Sequence, residues 1–408
     1  MQAMTDVIVG GDPDDFLTVR HLRIAGTNRE IGRALANAAS TVHGRAAGPR
    51  PVIDAVVQRA RRRWFDQHHP ILAERGRGMA DAFGVDYDSD EWDVVWLATY
   101  GGPAGCSVAF YPGDGTKDGH GILSRNFDFP TATFDQIMGG PGRPGERPLA
   151  ADPWVVELHP DDGYASITVG IMDVAGAMDG VNEAGLSVAL LADNESPSPE
   201  PTGGPQVGLA EQQVVRYLLD TCATVDEAKE ALLIAKQYYF FVRCHFVVAD
   251  RSGRSFVWEH SAGHNREAIV DGDRFESCRT VCTNHLLHTR ADLTDLPSED
   301  GSLGTAALTY TRWRSLHATA STGAMVDRDD IRDAFRQVSF TAPIEGARTF
   351  WHALYDVEDA SMEVSFFLHD TADRSVYTKP MTFSLAQMPQ PAAGDLAAPP
   401  GPTRRRAA

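Results

Sequence analysis

Apolar positions recur at helical spacing through the first hundred residues. Ile31, Ala34, Leu35 and Ala38 fall on one face behind Asn28, a residue type that caps helices, so the pattern predicts a helix there. A second helical stretch runs from about Pro51 to the region of Trp64 and is expected to break at Pro70. A third runs from Ile71 to Phe83, before Gly84. Beyond position 105 the texture changes to short apolar runs between Gly, Asp and Pro: Ile122–Leu123, Trp154–Leu158, Tyr164–Ile171 and Leu186–Leu191. His245–Asp250 and Ser255–Glu259 read as a hairpin, and Met362–Leu368 pairs naturally with Ser375–Thr378. Helical patterns interrupt these strands at Leu209–Leu219, behind the Thr224 and Glu227 capping box, and at 324–338. Grouped strands and helices favour a layered α+β fold over alternating β-α-β units. Segments Gly139–Pro148 and Glu195–Pro205 read as exposed loops, and residues 389–408 as a disordered tail.

Composition narrows the function classes. A net charge of −19 opposes phosphate backbones and anionic lipid, so neither nucleic acid nor membrane is an expected partner. The basic groups Arg59, Arg61–Arg63 and Arg404–Arg406 read as a solvated face and a solvated end. No apolar run approaches the roughly 20 residues needed to span a bilayer, and Met1–Asp15 lacks the apolar core of a signal peptide. The expected location is the cytoplasm. Five cysteines, Cys106, Cys222, Cys244, Cys278 and Cys282, do not form a disulfide framework. Cys278 and Cys282 are spaced like half a zinc site, but no second pair follows, so no metal is expected.

One segment has the composition of a reactive site. Gly101, Gly102, Pro103, Ala104 and Gly105 put an unhindered backbone in front of Cys106. A thiol there can attack the Gly105 carbonyl, and cleavage would leave Cys106 with a free α-amine. That amine has a pKa near roughly 7.7–8.0 against roughly 8.5 for a thiol, so it can take the thiol proton without a histidine. Downstream, Ser124-Arg125-Asn126-Phe127-Asp128 follows an apolar strand. Asp128 can hold the ammonium, and Arg125 can lower the thiol pKa. The alternative reading of these residues alone is a buried cysteine and a surface ion pair.

These motifs together resemble the choloylglycine hydrolase and acyl-coenzyme A:isopenicillin N acyltransferase branches of the N-terminal-nucleophile (Ntn) hydrolases. The resemblance extends over Gly26–Gly32, Gly76–Gly84, the Gly105-Cys106-Ser107 junction and Ile122–Phe129. It continues through Asp179–Leu186, Thr283-Asn284-His285, Thr311–Arg314 and Thr349–Asp370. It implies a four-layer αββα sandwich with a mainly helical N-terminal pro-segment. Residues 1–105 would become an α chain, and residues 106–388 a β chain that stays associated with it. It also implies that Asn284 stabilises an oxyanion, that Arg312 supports the nucleophile and that no cofactor is needed. The substrate would be a small linear acyl amide or thioester. Asn182 and Gly185 are read as turn formers. The chain departs from the family in a longer Cys106-to-Asp128 spacing, absorbed by a turn over Tyr111–His120. It also lacks a clear second oxyanion asparagine near Leu191–Asn194. Two rivals stand beside this reading: an uncleaved Cys-His hydrolase using His120 or His285, and an inactive binding protein with the same fold. Phe127, Phe129, Phe350 and Trp351 either line an apolar pocket or pack as core.

Overall fold

The computed structural model describes residues 2–385 except 11, 13, 96–104, 138, 172–174, 196–204, 240–242, 262–265, 300–307 and 342–345. Gly101–Ala104, most of the Glu195–Pro205 loop and the tail lie outside the described residues. In chain order the early strands are β1 (Gln2–Val7), β2 (Arg20–Gly26), β3 (Arg50–Pro51), β4 (Trp92–Asp93), β5 (Gly105–Tyr111) and β6 (Ile122–Pro130). Next come β7 (Trp154–Pro160), β8 (Ser166–Gly170), β9 (Asp179–Asn182), β10 (Ser187–Ala192), β11 (Cys244–Ala249) and β12 (Ser255–Ser261). The last are β13 (Arg266–Asp271), β14 (Val281–Cys282), β15 (Ala347–Asp356), β16 (Ser361–Asp370), β17 (Ser375–Tyr377) and β18 (Met381–Ser384). The helices are α1 (Asn28–His43), α2 (Ala55–His68), α3 (Pro70–Phe83), α4 (Phe134–Ile137), α5 (Glu211–Thr221), α6 (Val225–Ile234), α7 (Thr309–Ala320) and α8 (Arg328–Gln337).

Two sheets dominate. One has nine strands in the order β1-β2-β7-β8-β9-β10-β11-β12-β13, and the other seven, β14-β5-β6-β15-β16-β17 with β18 also on β16. The sheets face each other through β10 against β5 and through β9 against β15 and β16. Helix α5 covers β9 and β10, and α7 and α8 cover β14, β5 and β6, giving the expected αββα layering. Covered on both faces, a central strand such as β10 (SVALLA) is buried at every position, which is why it reads as a continuous apolar run.

The N-terminal part is mainly helical, as expected, but it also supplies β1 and β2, which short polar-rich segments did not reveal. Strand β2 runs parallel to β7, with Arg20 opposite Trp154 and Gly26 opposite Pro160. The cap of α1 is Thr27 rather than Asn28: its side chain accepts from Glu30 N–H, and Glu30 reaches back. Asn28 instead turns inward, accepting from Arg75 Nε at 3.0 Å and donating to the Asp162 carbonyl at 2.8 Å. Pro70 starts α3 at its first turn, where a missing N–H costs nothing, and Gly84 closes it in the left-handed region. The turn over Tyr111–His120 contains a short 3₁₀ segment, Gly113–Gly115. At the Asp179–Leu186 hairpin Gly185 has φ +87°, and Asn182 Oδ1 accepts from Leu186 N–H, the turn role read for both. Phe127, Phe129, Phe350 and Trp351 are all buried in the core. No helix among the described residues is long and apolar enough to cross a membrane.

Candidate active site

Strands β5 and β6 pair with Gly105 opposite Asp128, Cys106 opposite Phe127 and Val108 opposite Arg125. Side chains alternate along a strand. Cys106 and Arg125 therefore face the nine-stranded sheet, while Gly105 and Asp128 face the helical layer. A bulge in β15 between Thr349 and Trp351 keeps Thr349 opposite Asp128 and Trp351 opposite Phe127.

Cys106 is fully buried, and three of its atoms have separate partners. Its Sγ lies 3.3 Å from Arg125 Nη2. Its N–H donates to Asn284 Oδ1 at 2.9 Å. Its carbonyl accepts from Arg312 Nη1 at 2.5 Å. Arg312 also donates to Ser107 Oγ at 2.9 Å and to Asn284 Oδ1 at 2.6 Å, and lies 3.6 Å from Asp128 Oδ2. All five residues read from the sequence as site residues thus gather around the Gly105–Cys106 junction.

Arg125 is held by groups to which the sequence assigns no such role. Its Nη1 pairs with Asp179 of β9, and Nη2 donates to the Leu190 carbonyl of β10 at 2.7 Å. Tyr355 of β15 donates to the same Asp179. The guanidinium lies 4.8 Å from the Phe127 ring centroid, and Phe127 stacks on Trp351 at 3.9 Å. Asp128 accepts from Thr349 Oγ at 2.5 Å, while Thr349 Oγ accepts from Phe340 N–H at 2.8 Å. Asp179 and Thr349 sit in segments already singled out, the hairpin and the closing strands. Only the strand order, which the sequence does not display, brings them to the site.

Burial governs the protonation states. It pushes the Cys106 thiol up, and Arg125 opposes it without overcoming it, so the unbroken chain holds a thiol. The expected effect of Arg125 is present in direction and is outweighed by desolvation. Burial also raises the Asp128 carboxyl to about 6, against the pull of Arg312, the Thr349 hydrogen bond and Arg125. Asp128 Oδ2 has no hydrogen-bond partner among the described residues.

The sequence reads Asn284 as an oxyanion donor. In the unbroken chain its Oδ1 receives the Cys106 N–H and its Nδ2 donates to the Ala192 carbonyl at 2.7 Å. The Asn194 N–H donates to the Asn284 carbonyl at 2.9 Å, so the Leu191–Asn194 segment does flank Asn284.

Neither rival histidine is bonded to Cys106. His120 Nδ1 meets Asp356 at 2.8 Å, and His285 Nδ1 meets Thr283 and Thr309 at 3.2 and 3.1 Å. Burial lowers His285 to about 3. Among the described residues one group, His120, Asp356 and Glu358, could present three ligand atoms to a metal. Arg328 already ion-pairs with Asp356 and puts a guanidinium where a cation would sit. All five cysteines are free; Cys222, Cys244 and Cys282 are buried and Cys278 is exposed.

Residues 115–296, less than half of the chain, match the family described as acyl-coenzyme A:6-aminopenicillanic acid acyl-transferase, a match that takes in Arg125, Asp128 and Asn284 and begins after Cys106. The chain is 36% identical over 115 residues to a penicillin V acylase of Pectobacterium atrosepticum, 24% of this chain and 30% of that protein. It therefore spans under a third of the length of that curated relative. Among solved structures it is similar to a mutant of a conjugated bile acid hydrolase from Clostridium perfringens. There the TM-score is 0.46 at 14% identity, over 69% of this chain and 92% of the other. It is also similar to a penicillin V acylase from Agrobacterium tumefaciens, with a TM-score of 0.44 at 20% identity, over 64% and 82% of the two chains.

Proposed function

We propose that the chain is the precursor of a cysteine Ntn amidohydrolase or acyltransferase, activated by its own cleavage at Gly105–Cys106. Cys106 Sγ attacks the Gly105 carbonyl carbon, the C–N bond breaks, and the thiol proton passes to the departing nitrogen. The product is a thioester bearing a free Cys106 α-amine. Water hydrolyses it to the Gly105 carboxylate and the Cys106 thiol.

In turnover the α-amine takes the thiol proton while sulfur attacks an acyl carbonyl. The tetrahedral oxyanion collapses as the amine returns the proton to the leaving nitrogen. An acyl thioester remains, and water or an acceptor amine discharges it. Asp128, facing Gly105 across the strand pair, holds the ammonium. Arg125 stabilises the thiolate when it forms, Asn284 moves from holding the Cys106 nitrogen to donating to the oxyanion, and Arg312 keeps the Cys106 backbone in place. No metal or organic cofactor has a step here. The substrate class in view is the small linear acyl amide or thioester, in keeping with an acyltransferase family match and a penicillin V acylase relative.

The observation that supports this most is that sulfur, nitrogen and carbonyl oxygen of one residue each meet a different buried side chain. A buried structural cysteine does not need that arrangement. The test is intact mass with N-terminal sequencing of the purified protein, beside Cys106→Ala. The expected result is a fragment beginning at Cys106 in the parent and an unbroken chain in the variant, with hydrolysis of N-acyl amides by the parent alone. A single unbroken chain with full activity would discard the mechanism.

A further inference from the structure

Asn284 comes after a strand of only two residues, β14, so the sheet alone does not fix its loop. Carboxylates hold the next residues of that loop. Leu286 N–H donates to Glu195 Oε2 at 2.8 Å, Leu287 N–H to Glu259 Oε1 at 2.8 Å and His288 N–H to Glu259 Oε2 at 2.9 Å. His288 Nδ1 adds a 2.5 Å contact to the same Glu259 oxygen. Three successive amides of one loop are thus taken up by two side chains from elsewhere in the fold.

Glu259 is buried in β12, in the other sheet from Cys106. Across the strand pair it faces His245 of β11, whose Nδ1 lies 3.1 Å away and whose Nε2 lies 4.0 Å from Asp193. Asp193 precedes Asn194, whose N–H binds the Asn284 carbonyl. The cluster therefore grips the Asn284 loop from both ends. A carboxylate is costly to bury, and a buried ion cluster is a poor source of net stability. Burial pushes the Glu259 carboxyl up, yet His245 beside it and the bond from His288 hold it well below the usual carboxylate range. His245 is pushed down by burial and raised on balance by Glu259, with Asp193 and Glu195 adding to the rise. The charge is retained, and what it touches is the loop.

We infer that Glu259, supported by His245, is a positioning residue that fixes Asn284 against the Cys106 nitrogen. The inference rests on the reading of Cys106 and Asn284 as working partners. It goes beyond that reading in assigning a role to a group that touches neither.

Glu259→Gln replaces one of two acceptors by a donor facing an amide N–H. A matched control exists in Glu157 of β7, buried between His21 at 3.1 Å and His159 at 2.7 Å. It lies five strands from β12, about 24 Å at the usual spacing. In a Cys106→Ala background, which keeps the chain unbroken, hydrogen exchange is followed in peptides covering 284–288 and 105–108. Glu259→Gln is expected to speed exchange at least about ten-fold in both peptides, including the amide of residue 106, and Glu157→Gln in neither. With Cys106 present, Glu259→Gln is expected to slow cleavage and turnover about ten- to hundred-fold, at a melting temperature no lower than that of Glu157→Gln. Unchanged exchange at the 105–108 peptide overturns the inference, even if the loop itself loosens. So does an unchanged rate in an active parent. A parent that neither cleaves nor turns over would sink the proposed function, and the exchange result would still decide this one.

Discussion

At the scale of single residues, the site keeps an acid where folding would prefer a neutral group. Asp128 is buried, titrates at about 6 and has one oxygen without a hydrogen-bond partner among the described residues. Its folded pKa lies above the unfolded value of roughly 3.9, so the native state binds this proton more readily. The native state gains stability from this group as pH falls from about 6 toward 4, and loses it as pH rises through 6. Two pKa units correspond to up to about 3 kcal/mol. In a Cys106→Ala background, Asp128→Asn is therefore expected to be more stable than its parent at pH 7. The gap should close near pH 4 in urea unfolding at the two pH values. With Cys106 present the same substitution should abolish cleavage, and the parent's cleavage rate should fall on the acid side of about pH 6. A stability gap that does not change with pH would mean that folding leaves the Asp128 pKa where it is in the unfolded chain. The residue motifs made Cys106, Arg125 and Asp128 legible because strand pairing brings near neighbours in sequence together. Asp179 and Tyr355 stayed unread because the pairing of Asp179 with Arg125, and of Tyr355 with Asp179, runs through a sheet order and a sheet-to-sheet packing that no local pattern encodes.

At the scale of elements, the first residue of α7 does for the Asn284 loop what a longer strand would have done. Thr309 Oγ accepts from Asn284 N–H at 2.8 Å and meets Thr283 Oγ at 2.9 Å, and its carbonyl accepts from Thr283 Oγ at 3.0 Å. Thr309→Val keeps the volume and removes the acceptor, leaving a buried N–H unpaired at a cost of about 1–3 kcal/mol. Thr309→Ser should recover most of that loss. Urea unfolding and the half-time of cleavage measure both, and a valine variant that cleaves at the parent rate would show that the loop is held without this hydroxyl. Helix packing carries a second element-scale constraint. A Cβ on Gly78 of α3 would stand 1.9 Å from the Arg29 carbonyl oxygen of α1, and one on Gly32 would stand 1.9 Å from that of Arg75. Gly78→Ala must force the two helices apart, and we expect it to lower the melting temperature by several degrees despite alanine's better helix propensity. Both helices were readable from period and punctuation. Their glycine contacts were not, because helical periodicity reports which face is apolar and not how closely another backbone approaches it.

At the scale of the whole molecule, the proposed cut lies at the edge of β5 and not between two separately folded parts. Residues before Gly105 supply two of the nine strands of one sheet, and β2 pairs with β7 over seven residues from beyond the junction. Helix α3 places Arg75 against Asp220 of α5 with two bonds, 2.7 and 3.1 Å, both side chains buried and Arg216 beside them. Breaking the 105–106 bond detaches only the first residue of β5 and leaves β1, β2 and the buried ion pair in place, so the two fragments are expected to remain one particle. They should co-elute at about 44 kDa in non-denaturing size exclusion, the 44.3 kDa of the whole chain, and separate only in denaturant. Asp220→Ala leaves Arg75 and Arg216 buried without their shared carboxylate, a change that typically costs about 3–5 kcal/mol. In an unbroken chain that cost lowers the melting temperature alone. In a cleaved chain it also frees the fragments, because nothing covalent returns residues 1–105 to the sheet. The measurement is the urea concentration at which the fragments part, compared between parent and Asp220→Ala, each in cleaved form. A large drop in the variant makes the ion pair a link across the cut. Fragments that part at the same urea concentration in both would assign the association to the β2–β7 pairing instead.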